Sequence, residues 1–208
     1  MKRLVFIVLA WMALLPHLAV AADPDPEASY QALLTAAKAA TGPVDWQALR
    51  YAYAERPAYD GEFDHDARDA MFRASTAHDW ATVKAKATTV LDANYVDGMA
   101  HHSLAAADVA LGDPEQGQKE FAMAEGIFAS IRTGDGLSFD HAFTVISIAE
   151  EYDIMATMGL SLDQQSLNNH DGHMFDVMAT EDEQGKKVTY YFNIDREWAA
   201  ETRAMSPH

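Results

Sequence analysis

The spacing of hydrophobic and polar positions changes near residue 131 of the chain. Before it, apolar residues recur every three or four positions, as at Trp46, Leu49 and Tyr53, and this period predicts amphipathic helices. After it, apolar and polar residues alternate, most clearly over 187–195, and this period predicts β-strands. The pattern therefore predicts an α+β fold that is mainly α, with helix pairs first and a small antiparallel sheet after them.

The unit over 132–208 is predicted to hold three strands and one or two helices. The strands cover 143–148, 173–180 and 187–195, and the helices cover 150–159 and 196–205. In the second strand Phe175, Val177 and Ala179 share one side, and Gly185 offers a left-handed conformation for the hairpin that follows. A three-stranded sheet is only marginally stable alone, so we expect this unit to pack against the last helix pair.

Within the helical region, 22–131, two predicted helix pairs repeat with a period of 34 residues, because Asp79 and Asp113 precede equivalent second helices. The second pair resembles a tetratricopeptide repeat at its early positions, its turn and its second helix. The matching residues are Leu104, Ala105, Gly112, Phe121 and Ala124. The resemblance implies stacked helix pairs with an extended binding face, and the alternative is an Ala-rich helical bundle.

The beginning of the chain has the pattern of a secretory signal peptide. Two basic residues precede an apolar run over 4–15, and the small residues Ala19 and Ala21 suit a signal peptidase. The run is too short to span a bilayer comfortably, and no cysteine follows it for lipid attachment. We therefore predict a signal peptide over 1–21, cleavage after Ala21, and a periplasmic or secreted protein without a membrane anchor.

The mature chain is strongly acidic and contains no cysteine. The formal net charge is −17, and it becomes −19 when the leader with Lys2 and Arg3 is removed. Such a charge disfavours binding to nucleic acid or to an anionic membrane, and it is compatible with cationic partners or divalent cations. The absence of cysteine excludes disulfides, thiolate zinc sites and a cysteine nucleophile.

No common enzyme motif accounts for the polar residues. The chain lacks a Gly-rich phosphate loop, a dinucleotide fingerprint, a zinc-protease helix and a serine-hydrolase elbow. The absence of these motifs favours a non-catalytic exported module that binds a protein or peptide on its helix pairs. No motif indicates a cofactor. The candidate groove residues are His101, His102, Ala105, Asp108 and Val109. A structural subunit of an envelope complex is an alternative, and the sequence does not give the oligomeric state.

A second hypothesis is a divalent-metal site, in a binding protein or in a metal-dependent enzyme. The ligands would be His170, Asp171, His173 and Asp176. Imidazole and carboxylate groups at such short spacing suit zinc or another transition metal. The same segment is also typical of a turn, because Asn, Asp and Gly favour turns. The metal hypothesis therefore requires that these side chains converge in the folded protein.

The segment 133–155 combines a Gly-Asp-Gly turn with polar residues. Asp135, Ser138 and Asp140 could offer oxygens to a hard cation, but the spacing of an EF-hand loop is absent. Ser138 and His141 are neighbours in the sequence, without the strand–turn–helix motif of a serine nucleophile. We therefore interpret the segment as a turn that leads into a strand and a helix.

The same segment also carries a resemblance to a known family. Together with 44–55 and the "YYFNID" strand, it is similar to an uncharacterised domain-of-unknown-function family of exported bacterial proteins. The family-pattern residues are Gly134, Asp135, Gly136, Glu150, Glu151, Tyr152 and Asn193. The resemblance implies a shared fold and export, and it implies no activity. Glu150 and Glu151 begin a predicted helix whose dipole favours negative charge, and they point to different faces, so we do not predict an acid–base pair.

Overall fold

The computed structural model describes residues 25–40, 42–59 and 65–205. The predicted leader and its cleavage site after Ala21 lie outside the described residues, so the signal peptide stays a prediction. Among the helices in these three ranges, none is both long enough and apolar enough to cross a membrane.

Six helices make up the first part of the fold. They are α1 (Pro26–Ala39), α2 (Trp46–Glu55), α3 (His65–Thr76), α4 (Trp80–Ala93), α5 (Gly98–Ala110) and α6 (Pro114–Ile131). Consecutive helices from α3 to α6 pack against each other, and α1 packs against α2. The helices from α3 to α6 therefore pack with their sequence neighbours, whereas α2 contacts α6.

Aspartate caps explain where four of these helices begin. Asp45, Asp79, Asp97 and Asp113 stand immediately before α2, α4, α5 and α6. Each carboxylate accepts a hydrogen bond from a backbone N–H three residues later, at N···O distances of 2.9, 3.2, 2.7 and 3.1 Å. These bonds satisfy N–H groups that have no partner inside the helix.

The turns before α4 and α6 have the same backbone geometry. His78 has φ +56° and Gly112 has φ +94°, so both place a left-handed residue immediately before the capping aspartate. Glycine adopts this region freely, whereas histidine is strained there. The structure thus repeats one turn after 34 residues, while the resemblance to the tetratricopeptide repeat stays a prediction.

The second part of the fold is a four-stranded sheet with two helices. Its elements are β1 (Phe143–Thr144), α7 (Ile148–Thr157), β2 (Leu160–His170), β3 (His173–Asp182), β4 (Lys187–Asn193) and α8 (Asp195–Met205). The strand order is β1-β4-β3-β2. The short β1 runs parallel to β4, and the other two pairs are antiparallel.

The predicted fold class, α+β and mainly α, is confirmed, with two corrections to the sheet. The described sheet has four strands rather than three, and it is mixed rather than antiparallel. The apolar segment 143–148 pairs at only two residues before the chain turns into α7 at Ile148. The sequence pattern does not predict the strand β2, because only Leu160, Leu162 and Leu167 of its residues are apolar.

A two-residue hairpin joins β2 to β3. Asp171 and Gly172 have φ +51° and +87°, and His170 lies opposite His173 in the register. Two consecutive left-handed residues give the tight turn whose twist matches that of antiparallel strands, and Asp-Gly is a favoured pair for it. The segment proposed as a metal loop is therefore the tip of a hairpin.

The sheet packs directly on α6. Ile127, Phe128 and Ile131 of α6 are almost completely buried in one cluster with Met178 of β3 and Phe192 of β4. This contact supplies the apolar cover that a small sheet needs.

A short 3₁₀ helix, Phe139–His141, lies against the other face of the sheet. The Phe139 ring lies 5.0 Å from the ring of Phe175 and 4.7 Å from that of Tyr191. In the register Phe175, Val177 and Ala179 lie opposite Asn193, Tyr191 and Thr189, and they alternate with Met178, which belongs to the α6 cluster on the other side.

Candidate functional site

Three of the five predicted groove residues lie together in a surface groove between α5 and α6. His102, Ala105 and Val109 line it from α5, Gly117 and Phe121 line it from α6, and its volume is about 530 Å³. The remaining lining residues are Trp80, Ala106, Pro114 and Gln118. We call this surface the α5–α6 groove.

The shape of the α5–α6 groove follows from small residues at its floor. A Cβ added to Gly117 would lie 2.6 Å from a methyl group of Val109 and 2.8 Å from the carbonyl oxygen of Ala105. The two helices therefore approach closely where both carry small side chains. Larger residues stand at the rim, where Val109 is 55 % exposed and Phe121 is 48 % exposed.

The other two predicted groove residues face the interior. His101 is 1 % exposed, with Nδ1 at 2.7 Å from Glu120 Oε2 and Nε2 at 3.0 Å from the backbone oxygen of Tyr95. Asp108 is also buried, and its Oδ1 accepts a 2.5 Å hydrogen bond from Lys84 Nζ. Both side chains connect neighbouring helices, so we remove them from the set that a partner could touch.

The structure does not bring the predicted metal ligands together. His173 Nδ1 lies 2.6 Å from Asp195 Oδ2, while the ring of His170 stacks on Phe139 with centroids 4.2 Å apart. Asp176 accepts a hydrogen bond from Gln165 instead.

Asp171 itself lies at the exposed hairpin tip, where it makes a 3.7 Å ion-pair contact with His170. Within the described ranges, no group of three His, Asp or Glu side chains is placed to hold a metal ion. The metal hypothesis therefore has no supporting site among the described residues.

The Gly-Asp-Gly segment forms a turn held by backbone contacts. Gly136 donates to the backbone oxygen of His141 at 2.8 Å and accepts from the N–H of Tyr191 at 2.8 Å. Asp135 accepts from the N–H of Leu137 at 2.9 Å. A Cβ at Gly134 would overlap the carbonyl group of His141, so the chain passes too closely there for any side chain. These contacts explain the motif without a ligand.

The remaining family-pattern residues lie around α7 and the end of β4. The hydroxyl of Tyr152 donates to Gln165 of β2 at 3.3 Å. The side-chain oxygen of Asn193 accepts from the N–H of Asp195 at 3.1 Å, which fixes the connection from β4 to α8. Glu150 and Glu151 are both buried, in two different environments.

Glu150 forms an ion pair with Arg50, a fully buried arginine of α2. Arg50 donates to Glu150 Oε1 at 2.8 Å and to Oε2 at 2.5 Å, so the pair is bidentate. Arg50 also donates to the backbone oxygens of Ser130 and Thr144 at 3.0 and 2.9 Å. One side chain therefore connects α2, α6, β1 and α7.

A second ion-pair network connects α3 to α5 and α7. Arg68 donates to Asp97 Oδ2 at 3.0 Å and to both oxygens of Asp153 at 2.7 and 2.6 Å. Burial raises the pKa of Asp153 to about 7, and the neighbouring Arg68 opposes that rise. These arginine pairs hold the helical part and α7 in one arrangement.

Glu151 of α7, Asp176 of β3 and Glu197 of α8 act electrostatically on one another, and we call them the acid cluster. Glu151 is fully buried and Glu197 is 6 % exposed. Both oxygens of Glu151, and Oε2 of Glu197, have no hydrogen-bond partner in the described part of the chain. A buried carboxylate without a partner is strongly destabilising, so such groups bind a proton instead.

The pKa values of the acid cluster rise accordingly. Burial first, and then the charges of Asp176 and Glu197, raise the pKa of Glu151 from 4.5 to about 9. Burial and the neighbouring Glu201 raise the pKa of Glu197 to about 8. Burial also raises the pKa of Asp176, although the hydrogen bond from Gln165 opposes it. At neutral pH, Glu151 and Glu197 are therefore uncharged in the folded protein.

Sequence reasoning missed Arg50 and Glu197, which complete these interior sites. Arg50 lies in the "DWQALR" segment, so an arginine inside an otherwise Ala- and Tyr-rich helix was an available signal for a buried pair. Glu197 follows Asp195 in the first turn of a helix, where the helix dipole alone accounts for acidic residues. Only the tertiary packing distinguishes it from an ordinary surface glutamate.

Comparisons with known proteins give a family and no activity. No curated protein matches the chain, and no solved structure matches it. The profile of one protein family matches residues 23–203, which confirms the predicted resemblance to a family of unknown function. The chain therefore belongs to the family described as a domain of unknown function, DUF4919.

Proposed function

We propose that this protein is an exported, non-catalytic interaction module that binds an apolar segment of another protein in the α5–α6 groove. The observation that carries the proposal is the groove itself. Its volume of about 530 Å³ lies within the usual range of pockets that hold ligands. None of its nine described lining residues is Asp, Glu, Lys or Arg.

The exposure of its rim favours an apolar occupant. Val109 and Phe121 leave about half of their surface in water, and covering apolar surface contributes about 25 cal/mol per Å². The groove of about 530 Å³ leaves space for an inserted side chain. A peptide with spaced leucines or aromatic residues suits such a groove between two helices.

The charge of the protein favours basic residues on either side of those apolar anchors. The chain carries 32 acidic against 15 basic residues, so a partner with lysine or arginine near its anchors gains long-range attraction. We therefore expect an amphipathic helix with an apolar face and basic flanks, presented by another exported protein.

Binding is testable with a synthetic leucine–lysine amphipathic helix that carries a fluorophore. We expect the mature protein to raise its fluorescence anisotropy, and Val109→Asp to weaken the affinity at least about tenfold, because the change places a charge at the apolar rim. Leu137→Asp is the matched control, since Leu137 is 53 % exposed in the Gly-Asp-Gly segment and is not a lining residue of the groove.

Two results would overturn the proposed occupant. Equal binding by the Val109→Asp and Leu137→Asp variants would show that the groove is not the binding surface. Concentration-dependent dimerisation that Val109→Asp abolishes, measured by sedimentation, would show that a second copy of the chain covers it. A leucine–glutamate helix tests how much charge contributes to the affinity, because the acidic protein should bind it more weakly than the leucine–lysine helix.

The exported location is part of the proposal, and it rests on the leader pattern. Expression of the full chain in a bacterium should yield protein in the periplasmic extract or the medium. Intact-mass measurement should show a first residue of Ala22, because the predicted cleavage follows Ala21. Recovery of only the uncleaved chain in the cytoplasm would contradict export without affecting the groove.

A further inference from the structure

A polar pocket lies where the helical part meets the α+β part, and it shares no lining residue with the α5–α6 groove. It is formed between α2 and α8, which pack against each other, together with the ends of β1 and β4. Its volume is about 390 Å³, and we call it the α2–α8 pocket. The lining residues that the argument uses are Tyr51, Ala54, Glu55, Asp195, Arg196 and Arg203.

We propose that the α2–α8 pocket binds a small organic monocarboxylate, which pairs with Arg203 and places its apolar body against Tyr51 and Ala54. The proposal goes beyond peptide binding, because it assigns a second site with a different class of ligand. The volume of the pocket lies within the usual range for small molecules, and such sites are common where two parts of a protein meet.

Arg203 carries the proposal, because it is a cation without a counter-ion in the described part of the chain. It donates to the backbone oxygen of Ala54 at 2.7 Å, near the end of α2, whereas Arg196 pairs with Glu55. A guanidinium has five N–H donors in a planar fork, so the bond to Ala54 leaves most of them for a ligand. Two parallel hydrogen bonds from this fork to a carboxylate form one of the strong polar contacts in proteins.

The two acids of the pocket limit the charge of the ligand. Glu55 accepts from Arg196 at 3.0 Å. Asp195 Oδ2 lies 2.6 Å from Nδ1 of His173, and its other oxygen accepts from a backbone N–H. Each acid thus has a partner of its own, and Arg203 keeps one positive charge for a ligand. A monocarboxylate neutralises that charge, whereas a doubly charged phosphate meets additional repulsion from Glu55 and Asp195.

The remaining surface of the pocket indicates the body of the ligand. The guanidinium carbon of Arg196 lies 3.6 Å from the centre of the Tyr51 ring, and this contact holds the ring at the wall of the pocket. Tyr51 and Ala54 offer apolar surface, and a planar ring can also stack on a guanidinium. An aromatic monocarboxylate such as benzoate combines these features.

Titration of the mature protein with benzoate, followed by the amide shifts in nuclear magnetic resonance spectra, tests this inference. We expect saturable shifts of amides in α8 and at the end of α2. Arg203→Gln should weaken the affinity at least about tenfold, because it removes the charged fork. Arg73→Gln is the matched control, since Arg73 is an exposed arginine of α3 that does not line the pocket. It changes the net charge equally and should bind benzoate as the parent does.

The ligand's charge and the fork are tested separately. Benzamide, the neutral analogue, and inorganic phosphate should both bind more weakly than benzoate. If Arg203→Gln does not fold, Arg203→Lys serves instead, because it keeps the charge but not the fork and should still bind less tightly than the parent. The Val109→Asp variant of the groove should bind benzoate normally, which keeps the two proposals distinguishable.

Three results would overturn the inference. The first is the absence of saturable shifts in the parent. The second is equal affinity for benzoate in the Arg203 variant and in Arg73→Gln, which would show that the arginine of the pocket does not hold the carboxylate. The third is binding of benzamide or phosphate as tight as that of benzoate, which would show that the site does not select a monocarboxylate.

Discussion

Arg50→Met is expected to lower the free energy of unfolding by about 3–5 kcal/mol, because it leaves the buried carboxylate of Glu150 without its counter-ion. The variant also removes the donor to the backbone oxygens of Ser130 and Thr144. A loss of this size is a large fraction of the stability of an ordinary domain. Urea unfolding of the mature protein at pH 7, followed by far-ultraviolet circular dichroism, measures the loss directly.

The double variant Arg50→Met/Glu150→Met tests whether the loss comes from an unpaired charge. Replacing both members of a buried pair by apolar residues is often close to neutral, so the double variant should recover at least about 1–2 kcal/mol of what Arg50→Met loses. Lys119→Met removes an exposed ion pair on α6 and should change stability by less than about 1 kcal/mol. If Arg50→Met is as stable as Lys119→Met, the pair does not join the two parts of the fold.

The second large effect is a fall in stability as the pH rises from about 5 to 9. Glu151 has a pKa of about 9 in the folded protein and of 4.5 when exposed, so between these values the folded state binds one proton more than the unfolded state. Each such group makes unfolding easier by about 1.4 kcal/mol per pH unit, or about 4 kcal/mol from pH 5 to pH 8. Its contribution is fully present below pH 4.5 and is lost by pH 9. Glu197, with a pKa of about 8, acts in the same direction.

Glu151→Met should reduce this slope, because the variant carries no titrating group at the buried position. We expect it to match the parent near pH 5 and to exceed it by several kcal/mol at pH 8. Urea unfolding at four pH values measures both profiles. Glu125→Met, on the exposed side of α6, is the control and should retain the parent's profile. An unchanged slope in Glu151→Met would show that another group causes the pH dependence.

The helices and the strand β4 could be predicted because their residues carry local signals. Asp79 and Asp113 stand before their helices as caps, and the alternation of Tyr190 and Phe192 with polar residues follows the pleat of a strand. The strand β2 could not be predicted in this way, since residues such as Gln165 and Ser166 are largely exposed. The Asp-Gly pair before β3 is itself a signal for a two-residue hairpin, and this signal accounts for the segment better than metal binding by the neighbouring histidines.

The candidate site was only partly visible in the sequence. The predicted set of groove residues includes Ala105 and Val109, which are neighbours on one face of α5 because residues four apart on a helix lie side by side, and both do line the groove. His101 and Asp108 belong to the same predicted set, but they point inward, where His101 contacts Glu120 and Asp108 contacts Lys84. The acid cluster was hidden for a different reason. Its members come from segments far apart in sequence, and each has an ordinary local explanation.

The polar character of β2 bears on how the sheet stays separate from other sheets. An edge strand has unpaired backbone groups that can add a strand from a second molecule, which is a route to aggregation. Here one edge is the two-residue β1, and the other is β2, whose pairing is interrupted by a bulge between Leu162 and Gln164. Asp163 occupies that bulge and pairs with Lys187 at 2.7 Å. The short length of β1 protects one edge of the sheet against the addition of a foreign strand. The charge and the bulge of β2 protect the other edge.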